Sequence, residues 1–308
     1  MEILPSPGPS GHPLPAGQGL VSVNGNITSA EDARIPVLDH GFLFGDSVYE
    51  TLRTHRHKPF LFTRHFIRME RSARSIELNL PWSREKTFQE VRRVVDAAGL
   101  SSESRIRITV TRGVGEVGPD PATCKSPNVI VIVTPLAELS DSIYENGVDV
   151  VISSFHRTIH LADAKTGNLI RTVLAQREAR MARAFEAILL TPEGMISDGI
   201  TSNVYLVKDK KILTPSREAC SLEGITRGTV LELARRMGLG VVEGLLPRSD
   251  IESADEMFLT STTREIVPIV RVNDAGSGRI VADGKPGPVT RALREAYVRE
   301  LDVLIQED

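Results

Sequence analysis

Lysine is scarce in this chain, with 8 residues against 29 arginines. Three of the eight, Lys208, Lys210 and Lys211, crowd into one stretch that reads as a turn. Lys165, in "HLADAKTGN", therefore stands where the chain otherwise uses arginine for positive charge. Cysteine is scarcer still. Cys124 and Cys220 form no CxxC pair and no metal-ligand spacing, so no metal site is expected, and a reduced cytoplasmic protein is. Neither charge sign dominates: 37 basic and 40 acidic residues leave a net charge of −3, which argues against a basic nucleic-acid surface. Apolar runs such as "NVIVIVTPL" fall far short of the ~20 residues of a membrane span.

What is present suits two cores. A chain of 308 residues with 41% hydrophobic content has the size of two domains. Residues 1–19 are rich in Pro and Gly and carry no apolar h-region, so they read as a disordered tail and not a signal peptide. We expect a smaller domain over 20–137, a linker over 138–146 and a larger domain over 147–308. Asn24-Gly25 marks one hairpin, and a second is expected to turn at His57-Lys58-Pro59. Helical spacing of Phe66, Met69, Ala73 and Ile76 predicts a helix over "TRHFIRMERSARSIELNL". Ser83 and Gly99 bracket another. "SRIRITVTRG" alternates, with Ile106, Ile108 and Val110 on one face and Arg105, Arg107 and Thr109 on the other. "NVIVIVTPL" reads as a strand buried on both faces. An amphipathic helix is expected after Lys165, and further helices at "GITRGTVLELARRMG" and "VTRALREAYVREL". Strands and helices mix in both halves, so the fold class is α+β.

Five positions carry possible chemistry. Lys165, among Asp163, Ala164, Thr166 and Gly167 at a strand-to-helix junction, is either a solvated charge or a nucleophile with room for a cofactor. Gly224 precedes a helix beginning Ile225-Thr226-Arg227; this is either a plain helix start or an anion site. "TSTTREI" is either a polar loop or a turn whose Ser261, Thr262 and Thr263 offer hydroxyls and N–H groups. Arg64, Arg68 and Arg71 share a helix face, a solvated stripe unless one turns inward. Asp198-Gly199 and Asn203 lie in a turn where a buried carboxylate could pair with a protonated ring nitrogen.

The order of these elements, together with "HGFLFGDSVYETLR" near the start, resembles the class IV pyridoxal-phosphate aminotransferases. The match runs from about Val21 to Tyr297. The resemblance implies a two-domain fold-type-IV enzyme with pyridoxal 5'-phosphate as cofactor. The smaller domain would hold the phosphate-binding arginine and pocket residues, and the larger would bind the cofactor. Lys165 matches the lysine that forms the Schiff base. Arg68 matches the phosphate-binding arginine, with His65 one turn before it. Gly224, Ile225 and Thr226 match the phosphate-binding helix start, and Ser261 and Thr262 further cofactor ligands. Asp198 stands where the family has glutamate against the pyridine nitrogen. Leu222 matches an apolar residue under the ring. Tyr49, Arg107, Thr262 and Thr263 match the substrate pocket.

Some positions depart from the family pattern. Asp198 is one methylene shorter than glutamate. D-amino-acid aminotransferase has an Arg-x-His where this chain has Val117, Gly118 and Pro119, so "VGEVGPDP" is closer to the glycine-rich loop of branched-chain enzymes. "KTGNL" has one residue fewer than the bacterial branched-chain "KxGGNY", and Leu169 replaces its tyrosine. The leading expectation is transamination of branched-chain L-amino acids with 2-oxoglutarate. Alternatives are a D-amino-acid or other class IV aminotransferase, an aminodeoxychorismate lyase, and a cofactor-free homologue that kept the fold. The resemblance also implies a homodimer whose sites are bordered by the neighbouring subunit, with the "GVGEVGPDP" loop near the site and ordered by substrate. No nucleic-acid or membrane partner is expected.

Overall fold

The computed structural model describes residues 19–158, 164–274 and 277–307. The expected tail lies outside these residues apart from Gly19, as do residues 159–163 ahead of Lys165. The chain forms two compact units, and each has its own sheet. The first takes in the described residues of 12–137 with Ala164–Leu169 and those from Leu301 onward; the second takes in Glu138–Asp163 and Ile170–Glu300 where described.

In the first unit, β1 (Leu20–Val23), β2 (Asn26–Ser29), α1 (His40–Phe44), β3 (Ser47–His55), β4 (Lys58–Pro59), α2 (Phe62–Ser75), α3 (Arg84–Ala98), β5 (Ser104–Thr111) and β6 (Asn128–Pro135) follow in order. The six strands form an antiparallel sheet, β2-β1-β6-β5-β3-β4. Asn24 and Gly25 turn the first hairpin with φ of 52° and 91°, the left-handed pair that a two-residue turn needs. The second hairpin turns at Arg56-His57, one residue before the expected place. Both of its turn residues take positive φ, which Pro59 cannot, so proline falls in the strand. Ser83 caps α3 by accepting from Lys86 N, and Gly99 closes it in the left-handed region. Val48, Leu52, Phe66, Met69, Ile106 and Ile108 belong to the core between sheet and helices.

The second unit contains α4 (Asp141–Asn146), β7 (Val148–His156), α5 (Ile170–Met181), β8 (Glu186–Leu190), β9 (Ile196–Gly199), β10 (Asn203–Lys208), β11 (Lys211–Pro215), α6 (Ile225–Arg236), β12 (Val241–Gly244), α7 (Asp250–Ser253), β13 (Glu256–Ser261), β14 (Glu265–Asp274), β15 (Ser277–Ile280) and most of α8 (Pro288–Leu304). Strands β10, β13, β14, β7, β8 and β9 close into a ring, because β9 pairs with both β8 and β10. The closing pair is Asp198 with Asn203. β14 was not legible as a strand, since Pro268 lacks a ladder donor. Pairing with β7 begins one residue later, at Ile269. Ile188, Ile196, Val204, Met257, Leu259 and Val267 belong to the core of this unit.

The helix after Lys165 departs from expectation. Only Ala175 and Ala179 of α5 are buried, while Ile170, Val173 and Met181 are 61%, 59% and 75% exposed. Its seat on β7 and β8 takes small residues, and Ile170, Val173 and Met181 point away. Both cysteines are free thiols. Among the described residues no helix is long and apolar enough to cross a membrane.

Candidate functional site

In the first unit the site is built around a backbone clamp. Tyr49 N donates to Lys165 O at 2.9 Å, and Gly167 N donates to Ser47 O at 2.8 Å. Thr166 bridges to Val48 between these bonds. Lys165 N donates to Ser72 Oγ on α2 at 3.0 Å. Gly167 is required here, because a Cβ would stand 2.1 Å from Ser47 Oγ. The main chain around Lys165 is thus fixed from three places, while its side chain extends over Tyr49, with Nζ 4.6 Å from the ring centroid. Arg107 stacks on the same ring, its guanidinium carbon 3.9 Å from the centroid. Strand alternation explains the meeting. Tyr49 and Thr51 on β3 share a face with Arg107 and Thr109 on β5, opposite the core residues Val48, Leu52, Ile106 and Ile108. Burial pushes the Tyr49 phenol pKa up, but the charges of Lys165 and then Arg107 outweigh it, so the phenol is more acidic than an ordinary tyrosine.

The opposite face of β3 carries a buried charge cluster. Glu50 is fully buried and accepts from Arg68 Nε and Nη2, each at 2.7 Å. His65 Nδ1 lies 2.7 Å from Glu50 Oε2. Burial acts to raise the Glu50 pKa, yet the Arg68 charge and the hydrogen bonds of Arg68 and His65 overcome it and hold the carboxyl well below its usual range. Burial lowers the His65 pKa against the pull of Glu50, which favours the neutral ring. Its Nδ1–H then donates to Glu50, and its buried Nε2 is left with no hydrogen-bond partner. Of the three arginines on the helix face, Arg68 is the one fully turned in.

In the second unit the closing pair of the ring is also a polar site. Asp198, 3% exposed, accepts from Ser221 Oγ at 2.7 Å and Asn203 Nδ2 at 2.9 Å on Oδ1. Its Oδ2 accepts from Leu222 N at 2.7 Å and lies 3.6 Å from Arg157 Nη2. Burial is the largest influence on its pKa and raises it, opposed first by Arg157 and then by the three donors. Asn203 also donates to Leu222 O at 2.7 Å, and its Oδ1 lies where a Cβ on Gly224 would be, 2.0 Å away. Gly224 therefore lets Asn203 hold the start of α6 against Asp198. Gly224 caps α6 without a side-chain hydrogen bond, so the first-turn amides of Ile225 and Thr226 carry the positive end of the helix without a capping oxygen. Thr226 is buried, while Leu222, Ser261, Thr262 and Thr263 are partly exposed.

The structure thus brings Lys165, Tyr49 and Arg107 together in one unit, with Arg68 on the other face of β3. It brings Asp198, Leu222 and Gly224–Thr226 together in the other. Glu50, Arg157 and Glu186 were missed by the sequence reading. Glu50 had a signal, because it falls in the buried phase of "VYETL" between Val48 and Leu52 and so required a cation. The loop after Gly113 is held at its middle: His40 Nε2 bonds Glu116 O at 2.9 Å, and Glu116 N donates to Thr123 Oγ1 at 3.2 Å.

A family profile described as "Amino-transferase class IV" matches residues 47–272. A Methanocaldococcus jannaschii protein provisionally named a branched-chain-amino-acid aminotransferase is 33% identical over 280 residues, covering 90% of this chain and 94% of its own. A D-alanine aminotransferase of Listeria monocytogenes is 32% identical over 285 residues, covering 91% and 96%. The structure of a branched-chain amino acid aminotransferase from T.th. with pyridoxamine 5'-phosphate aligns with a TM-score of 0.86 at 30% identity, covering 94% and 96%.

Proposed function

This chain belongs to the class IV aminotransferases, enzymes that use pyridoxal 5'-phosphate, and on that premise we propose that it moves the amino group of branched-chain L-amino acids to 2-oxoglutarate with Lys165 as the attachment lysine. The observation that carries the assignment of Lys165 is its clamp: the backbone is bonded to Ser47, Tyr49 and Ser72 while Nζ reaches over the Tyr49 ring. A covalent lysine needs that combination of a fixed base and a swinging end.

The donor set fits the cofactor. Glu50 orients the Arg68 guanidinium through two bonds of 2.7 Å, and the first turn of α6 has no capping side chain. By the resemblance to the family, Arg68, Gly224, Ile225, Thr226, Ser261 and Thr262 are the candidates to hold phosphate. Leu222 offers apolar contact to the ring and Asp198 a carboxylate to its nitrogen. The bound cofactor supplies an electron sink for the pair released at the substrate Cα. Lys165 Nζ, in its neutral form, takes the Cα proton and returns it elsewhere, as general base and then acid. An arginine at this position could not, because guanidinium does not deprotonate in proteins. That is the physical reason for lysine in an arginine-rich chain. Tyr49, Arg107, Thr262 and Thr263 are assigned to the substrate, with Arg107 the carboxylate partner.

Val117, Gly118 and Pro119 offer no cation, which favours the branched-chain reading over a D-amino-acid one. The similarity to the Listeria D-alanine aminotransferase keeps the latter as the second reading. We assign the enzyme to a homodimer in the cytoplasm. Val37, Phe42 and Val117 are 71%, 64% and 79% exposed in the first unit, and these apolar side chains are the candidates for the dimer contact. Borohydride treatment of the cofactor-loaded protein followed by peptide mapping should label Lys165. Label elsewhere refutes the assignment. Incubation with L-leucine, L-valine or D-alanine, each with and without 2-oxoglutarate, ranks the donors. Turnover of D-alanine alone would overturn the branched-chain reading, and pyruvate release from aminodeoxychorismate without an acceptor would indicate a lyase.

A further inference from the structure

Arg264 ties together two turns of the second unit that the foregoing reading gives to the cofactor. Its Nη1 pairs with Glu186 Oε2 at 2.9 Å, its Nη2 donates to Thr201 Oγ1, and its Nε donates to Ser261 Oγ at 3.2 Å. Its guanidinium lies over Phe185, 5.3 Å from the ring centroid. Glu186 is itself buried at the start of β8, and its Oε1 accepts from Thr201 N at 2.6 Å. Thr201 belongs to the turn between β9 and β10, whose flanks are Asp198 and Asn203. Ser261 opens the β13–β14 turn that carries Thr262 and Thr263. Gly199 makes the approach possible, since a Cβ there would meet Ser202 Oγ at 2.1 Å and Glu186 Oε1 at 3.0 Å.

From this geometry we infer that Arg264 is a positioning residue for the cofactor: it fixes the Ser261–Thr263 turn relative to Asp198 through one guanidinium shared by Glu186, Thr201 and Ser261. The inference rests on the assignment of Asp198, Ser261 and Thr262 to the cofactor. A lysine has one point of charge and cannot fill three directions at fixed angles, whereas the planar fork of arginine does. Misplacing a ligand turn weakens binding without altering any ligand atom, by an amount comparable to the loss of one charge-assisted hydrogen bond.

The test uses the full chain, stripped of cofactor and titrated with pyridoxal 5'-phosphate, with melting temperature recorded in parallel. Arg264→Met with Glu186→Gln removes both charges, so no buried carboxylate is left unpaired. The expected result is a melting temperature close to wild type with a dissociation constant raised about tenfold. Arg264→Lys, which keeps the pairing with Glu186, should also bind more weakly and show a smaller visible circular-dichroism band per bound cofactor. If the double variant recovers wild-type affinity along with wild-type stability, Arg264 is only structural and the inference falls. If Arg264→Lys matches wild type in affinity and dichroism, it falls as well. Both outcomes presuppose that wild type binds the cofactor; wild-type protein that gains no visible band would refute the parent reading, and this inference with it.

Discussion

Replacing Glu50 by glutamine should destabilise the first unit strongly while changing its shape little. Glu50 holds Arg68 through two bonds of 2.7 Å and His65 through a third, all within buried side chains. The substitution keeps nearly the same volume, so packing changes little. It leaves the Arg68 guanidinium without its counter-charge, and turns an amide NH2 toward a group that has only donors. Breaking one side of a buried pair costs about 3–5 kcal/mol. Urea unfolding followed by far-ultraviolet circular dichroism measures it. Glu50→Gln combined with Arg68→Met removes both charges and should recover most of that loss, because the desolvation cost of each ion disappears with the pair. The reasoning is refuted if Glu50→Gln costs less than about 1 kcal/mol, the range of an exposed pair, or if the two substitutions simply add. The acid limb gives a second check. The folded protein holds Glu50 more acidic than the unfolded chain does, so its contribution is complete above about pH 4.3 and is lost as pH falls through the folded value. Glu50→Gln should therefore lose less stability on acidification than wild type.

Asp198 should behave with the opposite sign in the cofactor-free protein. Burial raises its folded pKa, so its contribution is present below about pH 3.9 and lost as pH rises through the folded value; the stability difference between wild type and Asp198→Asn should shrink with rising pH in urea titrations. A difference that grows would show that the donors around Asp198 outweigh its burial. The Tyr49 phenol should ionise below the usual tyrosine value of about 10, seen as the phenolate absorbance of wild type minus Tyr49→Phe, and Lys165→Met should move it upward. No movement would mean that Lys165 does not sense the ring. Phe42→Glu places a charge on the exposed apolar surface and should shift the protein to monomer in sedimentation velocity; unchanged mass would remove this surface from the dimer contact.

Local chemistry was readable wherever a residue's neighbours in sequence are its neighbours in space. The Asn24-Gly25 turn, the Ser83 and Gly99 caps and the two faces of β5 are cases of this. The second hairpin was misplaced by one residue because proline draws a turn toward itself, while its left-handed pair, Arg56 and His57, has no sequence signal. The apolar residues of α5 follow a helical period, which says that a face exists and not that this chain covers it. Arg157 and Arg264 were invisible for a different reason. An arginine among 29 has no mark until the ring of strands brings its carboxylate partner close.

Lys165 shows the division most sharply. Its rarity raised the question, and its order with the later motifs gave it a role, yet the groups that hold it are far away in sequence. The holding groups are Ser47 and Tyr49 on β3 and Ser72 on α2, about a hundred positions earlier. The tight point is Gly167, where any side chain would strike Ser47 Oγ. Gly167→Ala displaces the Ser47 hydroxyl and crowds Gly45 O at 3.2 Å, pressing the segment away from β3 and loosening the base of the lysine while leaving the lysine itself intact. Its attachment to the cofactor would then remain possible but slower, because the swinging amine no longer starts from one place. A rapid-mixing measurement of the visible band on adding pyridoxal 5'-phosphate should show a reduced rate of appearance, with the label still mapping to Lys165 after borohydride. A wild-type rate in Gly167→Ala would mean that the clamp does not position the amine.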